Sequence, residues 1–574
     1  MDNQVPSRFE LCRSLSGKKV LVLVFATTSV ALVIVRRLLG RDGQLHRAKP
    51  LRKGRRLKVA ILGGGLAGSA VALWLRDTFG DEDLDLAVIC DGPVGGRCQT
   101  VQFNDEAYEA GADQCSDTSV YFQALSRRFS LKRWAISSLH MPFAVTNGSQ
   151  TLFCGVSTTL MRGWTSVADA LSWWRLCWRF GYQPIRKLQA FRTDPAMKSS
   201  GLYKALADGA SFAHPREVLS TIGHSCLQLS GRLAGQWLIR DLRLPRRMIR
   251  ELVEPGIRSS LGGQTCAEVH ALAGLAAIYW GFLGRRYAVC GGTGLLPARA
   301  MEAARPRLLQ GTARLVRHTP TKMRHEPGFE VAYDASLRGE AMKASGPSKP
   351  SRCSRPGAAE AEGLLVENFH LVVVAHPLEH SQVRFENCCN GTDITGTQLP
   401  PFRKSVAHFI HGTLNLRYFS RDIGERDQQM AALSFVPPRI WTTADSTTPF
   451  YSISLQFPVG IGSLSEARKF LSSAERGEPQ VYKTMATRCL TEAEVDACFK
   501  RTPGSRIRIV DWHAYPQHSA PQSFRPFVLD NAGVYYVNAI EQAVSSMESS
   551  LLGARNVVNL VADWVAQRRE PQGF

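Results

Sequence analysis

From residue 57 onward the spacing of apolar and polar positions changes period repeatedly. Residues 57–62, LKVAIL, are a short β-branched run that ends in three glycines, and an Ala/Leu-rich stretch with helical spacing follows to about Phe79. Asp85 to Cys90 (DLAVIC) predicts a second strand, and GFEVAYDA at 328–335 another. The tract from about 165 to 285 reads as helical, with Trp173, Trp174, Trp178, Phe180, Tyr182, Trp237, Tyr279 and Trp280 distributed along it. Near the C-terminus, Val534 to Asn538 predicts a strand. It leads into a helix from about Glu541 to Ala566, with Val544, Met547, Leu551, Ala554, Val558, Val561 and Val565 on one stripe. Strands alternating with long helical tracts predict an α/β protein with interleaved domains.

The glycines give the first strand its chemistry. Gly63, Gly65 and Gly68 form GxGxxG between a strand and a helix. The first permits the tight turn, the second lets backbone approach a pyrophosphate, and the third, with Ala67 before it, lets helix and strand pack closely. Asp91 lies 23 residues after Gly68, about where an acid meets ribose hydroxyls. Gly95-Gly96-Arg97 adds a second grip on the diphosphate, which favours FAD over NAD, and Glu109, Gly111 and Ala112 follow in YEAGA.

Composition narrows the function classes. The 574 residues carry 70 Lys plus Arg against 49 Asp plus Glu, but the first 58 hold fourteen basic and only three acidic residues. The remainder is mildly basic with no recognisable DNA-binding motif, so nucleic acid is not an expected partner. Fourteen cysteines contain no CxxC, and the pairs His376/His380 and His408/His411 lack a third ligand nearby, so no metal is expected. Walker A, HExxH and GxSxG patterns are absent. Val20 to Val35 is an uncharged run between Lys18-Lys19 and Arg36-Arg37, about 24 Å long as a helix and read as an uncleaved signal anchor to a membrane. The basic flanks favour a cytoplasmic body, whereas the sequons at Asn147 and Asn390 would be usable only in a lumen.

The run GGGLAGSA, VGGR, YEAGA resembles the flavin amine oxidase superfamily, and later blocks narrow the resemblance to the prenylcysteine oxidase, or farnesylcysteine lyase, family. These are Trp173 to Phe191, Glu251 to Gly274, YAVCGGTGLL with Gly291 and Gly292, HLVVVAHPL, VAHFIHGTLNLRYF, LTEAEVDACF, WHAYP and GVYYVNAIEQAVSSMESSLLGARN. The family's usual Glu at the end of the second strand is Cys90 here, and Thr293-Gly294 replace its Asn-Lys. The resemblance implies a Rossmann-type FAD-binding domain with an interleaved α+β substrate domain. It divides the chain into 1–56 (basic segment and anchor), 57–150 (FAD-binding, first part), 151–285 (helical substrate domain), 286–380 (FAD-binding, second part, with a disordered insertion at 338–363), 381–516 (strand-rich substrate part) and 517–574 (FAD-binding C-terminus).

The implied reaction is oxidative cleavage of an S-prenyl-L-cysteine thioether. A hydride leaves the allylic carbon beside sulfur for the flavin, water traps the cation, and collapse gives an isoprenoid aldehyde and cysteine, with molecular oxygen leaving as hydrogen peroxide. No catalytic side chain follows, and His411, Asn415 and Tyr515 are candidates by position for the amino acid end. Glu541 and Val544 fall at the start of the C-terminal helix, where its positive end would face the flavin and Glu541 the ribityl chain. The endomembrane system, in a lysosome or vacuole lumen, membrane-anchored or secreted, is the expected location. Competing readings are a flavin oxidase acting on an amine or polyisoprenoid, and a flavin-binding secreted protein without catalysis.

Overall fold

The computed structural model describes residues 56–139, 141–156, 165–191, 200–319, 328–335, 364–388, 401–419 and 437–569. The apolar run Val20–Val35, the whole insertion 338–363 and the Asn390 sequon lie outside the described residues. Among the described residues no helix is long and apolar enough to cross a membrane.

In β1 (Leu57–Leu62) only Lys58 is exposed, the continuous apolar pattern of a strand covered on both faces. α1 (Leu66–Phe79) follows and is apolar almost all round, because it lies between the sheet and further helices. β2 (Leu84–Cys90) pairs parallel with β1, and β3 (Arg307–His318) pairs parallel with β2. On the other side of β1 lie β4 (Leu371–Val374) and then β5 (Val534–Tyr536), again parallel. Ile61 therefore sits between Val88 and Val373. Antiparallel strands complete both edges: Phe329–Ala335 and Leu365–Phe369 beyond β3, and Val528–Asp530 beyond β5. Because β2 and β4 flank β1 on opposite sides, the carboxyl end of β1 is a topological switch point, the place where open parallel sheets bind nucleotides.

α2 (Met547–Arg569) packs against α1 with Leu551, Ala554, Val558, Val561 and Val565 buried. It begins later than the apolar periodicity predicts. Val537–Gln542 is a 3-10 turn, and the helix is set at Met547 by reciprocal capping. The Ser549 amide donates to the Ser546 hydroxyl (3.0 Å) and the Ser546 amide to the Ser549 hydroxyl (2.9 Å).

A second sheet runs Phe499–Arg501, Arg403–Leu414, Gln480–Ala486, Ser452–Leu455, Arg439–Thr442, Phe143–Thr146 and Thr151–Cys154, with Arg508–Tyr515 also paired to Arg403–Leu414. Its last two strands straddle residue 150, where the sequence places a domain border. Packing explains their place: Phe143 stacks on Trp441 at 4.6 Å between ring centroids and touches Phe153. Residues 165–283 are predominantly helical, with Leu238, Met248, Val253, Ile257 and Ile278 at the centre of a separate apolar core.

Candidate functional site

A cavity of about 750 Å3 starts at the carboxyl end of β1 and reaches the helical tract and the second sheet. Small-molecule sites span about 300–1,000 Å3. Of the predicted cofactor residues, Gly63, Gly65, Ala67, Asp91, Gly95, Gly96, Arg97, Gly111, Ala112, Glu541 and Val544 line it.

The glycines divide by cause. A Cβ on Gly68 would overlap the Gly63 carbonyl oxygen, so that glycine serves helix–strand packing and does not line the cavity. Gly111 is held by the Arg97 carbonyl and the Trp512 ring, and Gly95 has φ +129°. Gly65 differs: its φ is −73°, and an added Cβ would come no nearer than 3.8 Å to protein, at Gly96 Cα. Neither backbone strain nor packing requires glycine there. The space it keeps open belongs to the cavity, as a cradle for an approaching diphosphate would.

Arg97 fixes the adjoining loop. Its Nη1 donates to the Ala514 carbonyl at 2.9 Å, its Nη2 to Glu541 Oε1 at 2.5 Å, and its guanidinium lies over the Phe402 ring. Among the described residues Glu541 Oε2 and Asn538 Oδ1 are buried without a hydrogen-bond partner, and both residues line the cavity. Two orphaned acceptors beside an open glycine cradle fit a ligand that carries hydroxyl donors next to a diphosphate, as a flavin dinucleotide does. The N-terminus of α2 contributes Ser546 and Met547 to the same wall, with its positive end towards the cavity.

Other predicted residues take structural places. Glu109 does not line the cavity: its Oε1 accepts from the Thr293 amide (2.6 Å) and its Oε2 contacts Thr293 Oγ1 (3.1 Å). Thr293 Oγ1 also donates to the Ala112 carbonyl at 2.7 Å. A hydroxyl has one proton, so when it goes to Ala112 the second contact needs a proton on Glu109. Burial agrees, pushing the Glu109 carboxyl up to about 7. Gly291 and Gly292, at φ +86° and +96°, shape the turn that delivers Thr293 and lie away from the cavity wall. Thr293, a departure from the family pattern, thus has a definite partner.

Tyr515 lines the cavity, and burial pushes its hydroxyl up to about 12. His411 and Asn415 do not line it; the Asn415 amide donates to the Ala497 carbonyl at 2.9 Å. The position-based assignment of those two is corrected: no residue of the strand Arg403–Leu414 lines the cavity, and Asn415 follows directly after it. Aromatics of the helical tract also divide: Tyr279 and Trp280 reach the cavity, whereas Trp173, Trp174, Trp178 and Tyr182 are exposed.

Several further residues line the cavity. His376 donates from Nδ1 to the Leu62 carbonyl (3.1 Å) and accepts at Nε2 from Ser381 (2.8 Å), and burial holds its pKa low, so the ring is neutral. Lys483, 6% exposed, donates to the Glu109 carbonyl at 3.2 Å. Arg286 and Arg439 approach from two different sheets. The rings of His376, His380 and His408 hold hydrogen bonds, and among the described residues no cluster could hold a metal.

The chain is also similar to known proteins. The chain is 25% identical to prenylcysteine oxidase 1-like of Bos taurus over 91% of this chain and 94% of that protein. It is 25% identical to farnesylcysteine lyase of Arabidopsis thaliana, over 88% and 87%. Among solved structures, a triple mutant of putrescine oxidase superposes with a TM-score of 0.51 at 11% identity, covering 89% of this chain and 99% of that one. A putative protoporphyrinogen oxidase from Exiguobacterium gives 0.50 at 12% identity, covering 88% and 98%. These likenesses show the flavin oxidase fold. With the prenylcysteine lyase family model matching residues 165–571, more than half of its length, the chain belongs to the prenylcysteine lyase family.

Proposed function

We propose that the protein is an FAD-dependent thioether oxidase that cleaves S-prenyl-L-cysteine to an isoprenoid aldehyde, free cysteine and hydrogen peroxide, in the breakdown of prenylated proteins. The observation that carries this reading is one continuous cavity with two kinds of wall. One wall holds glycines and orphaned acceptors; on the other, Val218, Leu219, Ile222, Leu272 and Ala276 present an apolar surface suited to an isoprenoid.

When bound, FAD supplies the acceptor for a hydride from the allylic carbon beside sulfur and passes the electrons to oxygen. The chain binds, orients and excludes water. Gly63, Gly65 and Gly96 would take the diphosphate, Asp91 the ribose in place of the buried Cys90 thiol, and Glu541 and Asn538 the ribityl hydroxyls. Cys90 is unsuited to that task because burial and Asp91 push its thiol pKa up. The α2 N-terminus stabilises negative charge at the cavity wall. Apolar walls keep water from the allylic carbon until sulfur-stabilised charge develops there.

A panel of farnesylcysteine, a primary amine and a polyisoprenoid, read by peroxide release, tests the reading. Peroxide from the thioether with cysteine formed one for one is expected; preference for the amine would move the protein to the broader amine oxidase class. We further propose a luminal body in the endomembrane system, anchored to the membrane through Val20–Val35. Its support is the apolar run and the Asn147 sequon, which sits in a turn where Asn147 Oδ1 accepts from the Ser149 and Gln150 amides. Endoglycosidase sensitivity at Asn147 tests it.

A further inference from the structure

Charged groups buried near the cavity are nearly all satisfied. Glu541 meets Arg97, Glu251 meets Arg179, Arg247 and Arg250, and Glu548 accepts from the Tyr121 and Phe122 amides and the Tyr203 hydroxyl. Arg286 and Arg439 are different. Both line the cavity, and among the described residues neither has a carboxylate within ion-pair distance; the hydrogen bond found for Arg439 is to Met141 Sδ at 3.7 Å.

They also repel one another. Burial and the neighbouring Arg286 push the Arg439 guanidinium down to about 9, and Asp113 offsets part of this. Arg286 is lowered by burial and likewise faces Asp113. Asp113 is one carboxylate facing two guanidiniums, and its Oδ2 already accepts from Gln114 at 3.2 Å. Lys483, the nearby ammonium, is spent on a neutral carbonyl. A half-buried cluster with excess positive charge is costly unless an anion completes it.

The glycine cradle, where a diphosphate would lie, is built by other elements, the turn after β1 and the loop through Gly95 and Gly96. Arg286 begins the strand Arg286–Val289, paired at Ser116, while Arg439 begins the strand Arg439–Thr442, paired at Phe143 and Ser454. Trp441 and Ser454 of that region line the same wall. The substrate class proposed above has one anion to offer, the α-carboxylate of its cysteine, and planar guanidiniums suit it. Resting on that function, we infer that Arg286 and Arg439 together form the subsite for the α-carboxylate, so that the enzyme selects the free S-prenyl amino acid over carboxyl-blocked forms. An apolar branch would take the prenyl chain, and the thioether would lie between.

The test compares farnesylcysteine with its methyl ester in wild type, Arg439→Met, Arg286→Met and Arg439→Lys. Peroxide release gives KM and kcat, and the shift of flavin absorbance on titration gives Kd without turnover. Wild type should prefer the acid over the ester by about 10- to 100-fold in Kd and KM. In the Met variants this ratio should collapse toward one, with kcat changed far less than KM and flavin content retained, and Arg439→Lys should restore part of it. Equal affinity of wild type for acid and ester would overturn the subsite. So would an acid-to-ester ratio that survives in the Met variants, or loss of bound flavin from them, which would assign the guanidiniums to the cofactor. If no thioether yields peroxide, the function fails separately, and the Kd ratio still decides the carboxylate site.

Discussion

Replacing Gly65 with alanine separates the demands of the fold from those of the cofactor. At φ −73°, Gly65 has a conformation any residue adopts, and the new Cβ would rest 3.8 Å from Gly96 Cα and 4.0 Å from the Gly95 oxygen, ordinary contact distances. The intrinsic cost is that of alanine at a helix N-cap, about 1 kcal/mol at most. Gly68→Ala, three residues on, drives a methyl into the Gly63 carbonyl oxygen, backbone against backbone, and should cost about 3 kcal/mol or more. For cofactor affinity the methyl of Gly65→Ala occupies diphosphate space. An overpacking cost of about 1–3 kcal/mol corresponds to roughly 5- to 150-fold weaker binding, and valine should abolish it. Thermal melting of flavin-stripped protein and flavin titration measure the two effects. Gly65→Ala should melt close to wild type when stripped yet bind FAD weakly, and Gly68→Ala should melt early. Wild-type FAD affinity in Gly65→Ala would refute the cradle, as would a stripped protein destabilised as much as Gly68→Ala.

Glu541→Ala leaves the Arg97 guanidinium without its carboxylate; because Arg97 is 30% exposed, a loss of about 2–3 kcal/mol is expected by denaturant titration, together with lower flavin content. Glu109 has a folded pKa of about 7 against an ordinary 4.5, so the unfolded chain loses its proton first and stability falls as pH rises from about 4.5 to 7. Glu109→Gln, which can still accept from the Thr293 amide and donate to its hydroxyl, should remove about 3 kcal/mol of that fall, read from melts across this window. Deleting residues 1–56 should leave a flavin-loaded enzyme, because β1 begins at Leu57; a truncated chain that fails to fold would place the apolar segment in the core.

The parallel sheet was legible because buried parallel strands have a near-continuous apolar pattern and because GxGxxG has one structural meaning between strand and helix. The cradle residues followed from the same motif. The start of α2 was not legible: Val544 keeps the helical stripe, but the reciprocal Ser546–Ser549 cap interrupts the chain before Met547. In sequence Glu109 stands among cavity-lining neighbours; only the fold shows that Thr293, 184 residues away, claims it. Arg286 and Arg439 look ordinary in sequence, since long-range strand pairing alone brings them together. The exposed Trp174 and Trp178 illustrate the converse, since helical aromatic spacing says nothing about which face is covered.

The central claim is hydride removal from the carbon beside sulfur, and anaerobic flavin bleaching by farnesylcysteine deuterated at C1 tests it most directly. The account predicts bleaching slowed by deuterium, with cysteine and farnesal formed one for one. A saturated S-alkyl cysteine of equal length should bind comparably and bleach far more slowly, because sulfur and the alkene together stabilise the developing cation. Bleaching insensitive to deuterium, or as fast with the saturated analogue, would contradict it.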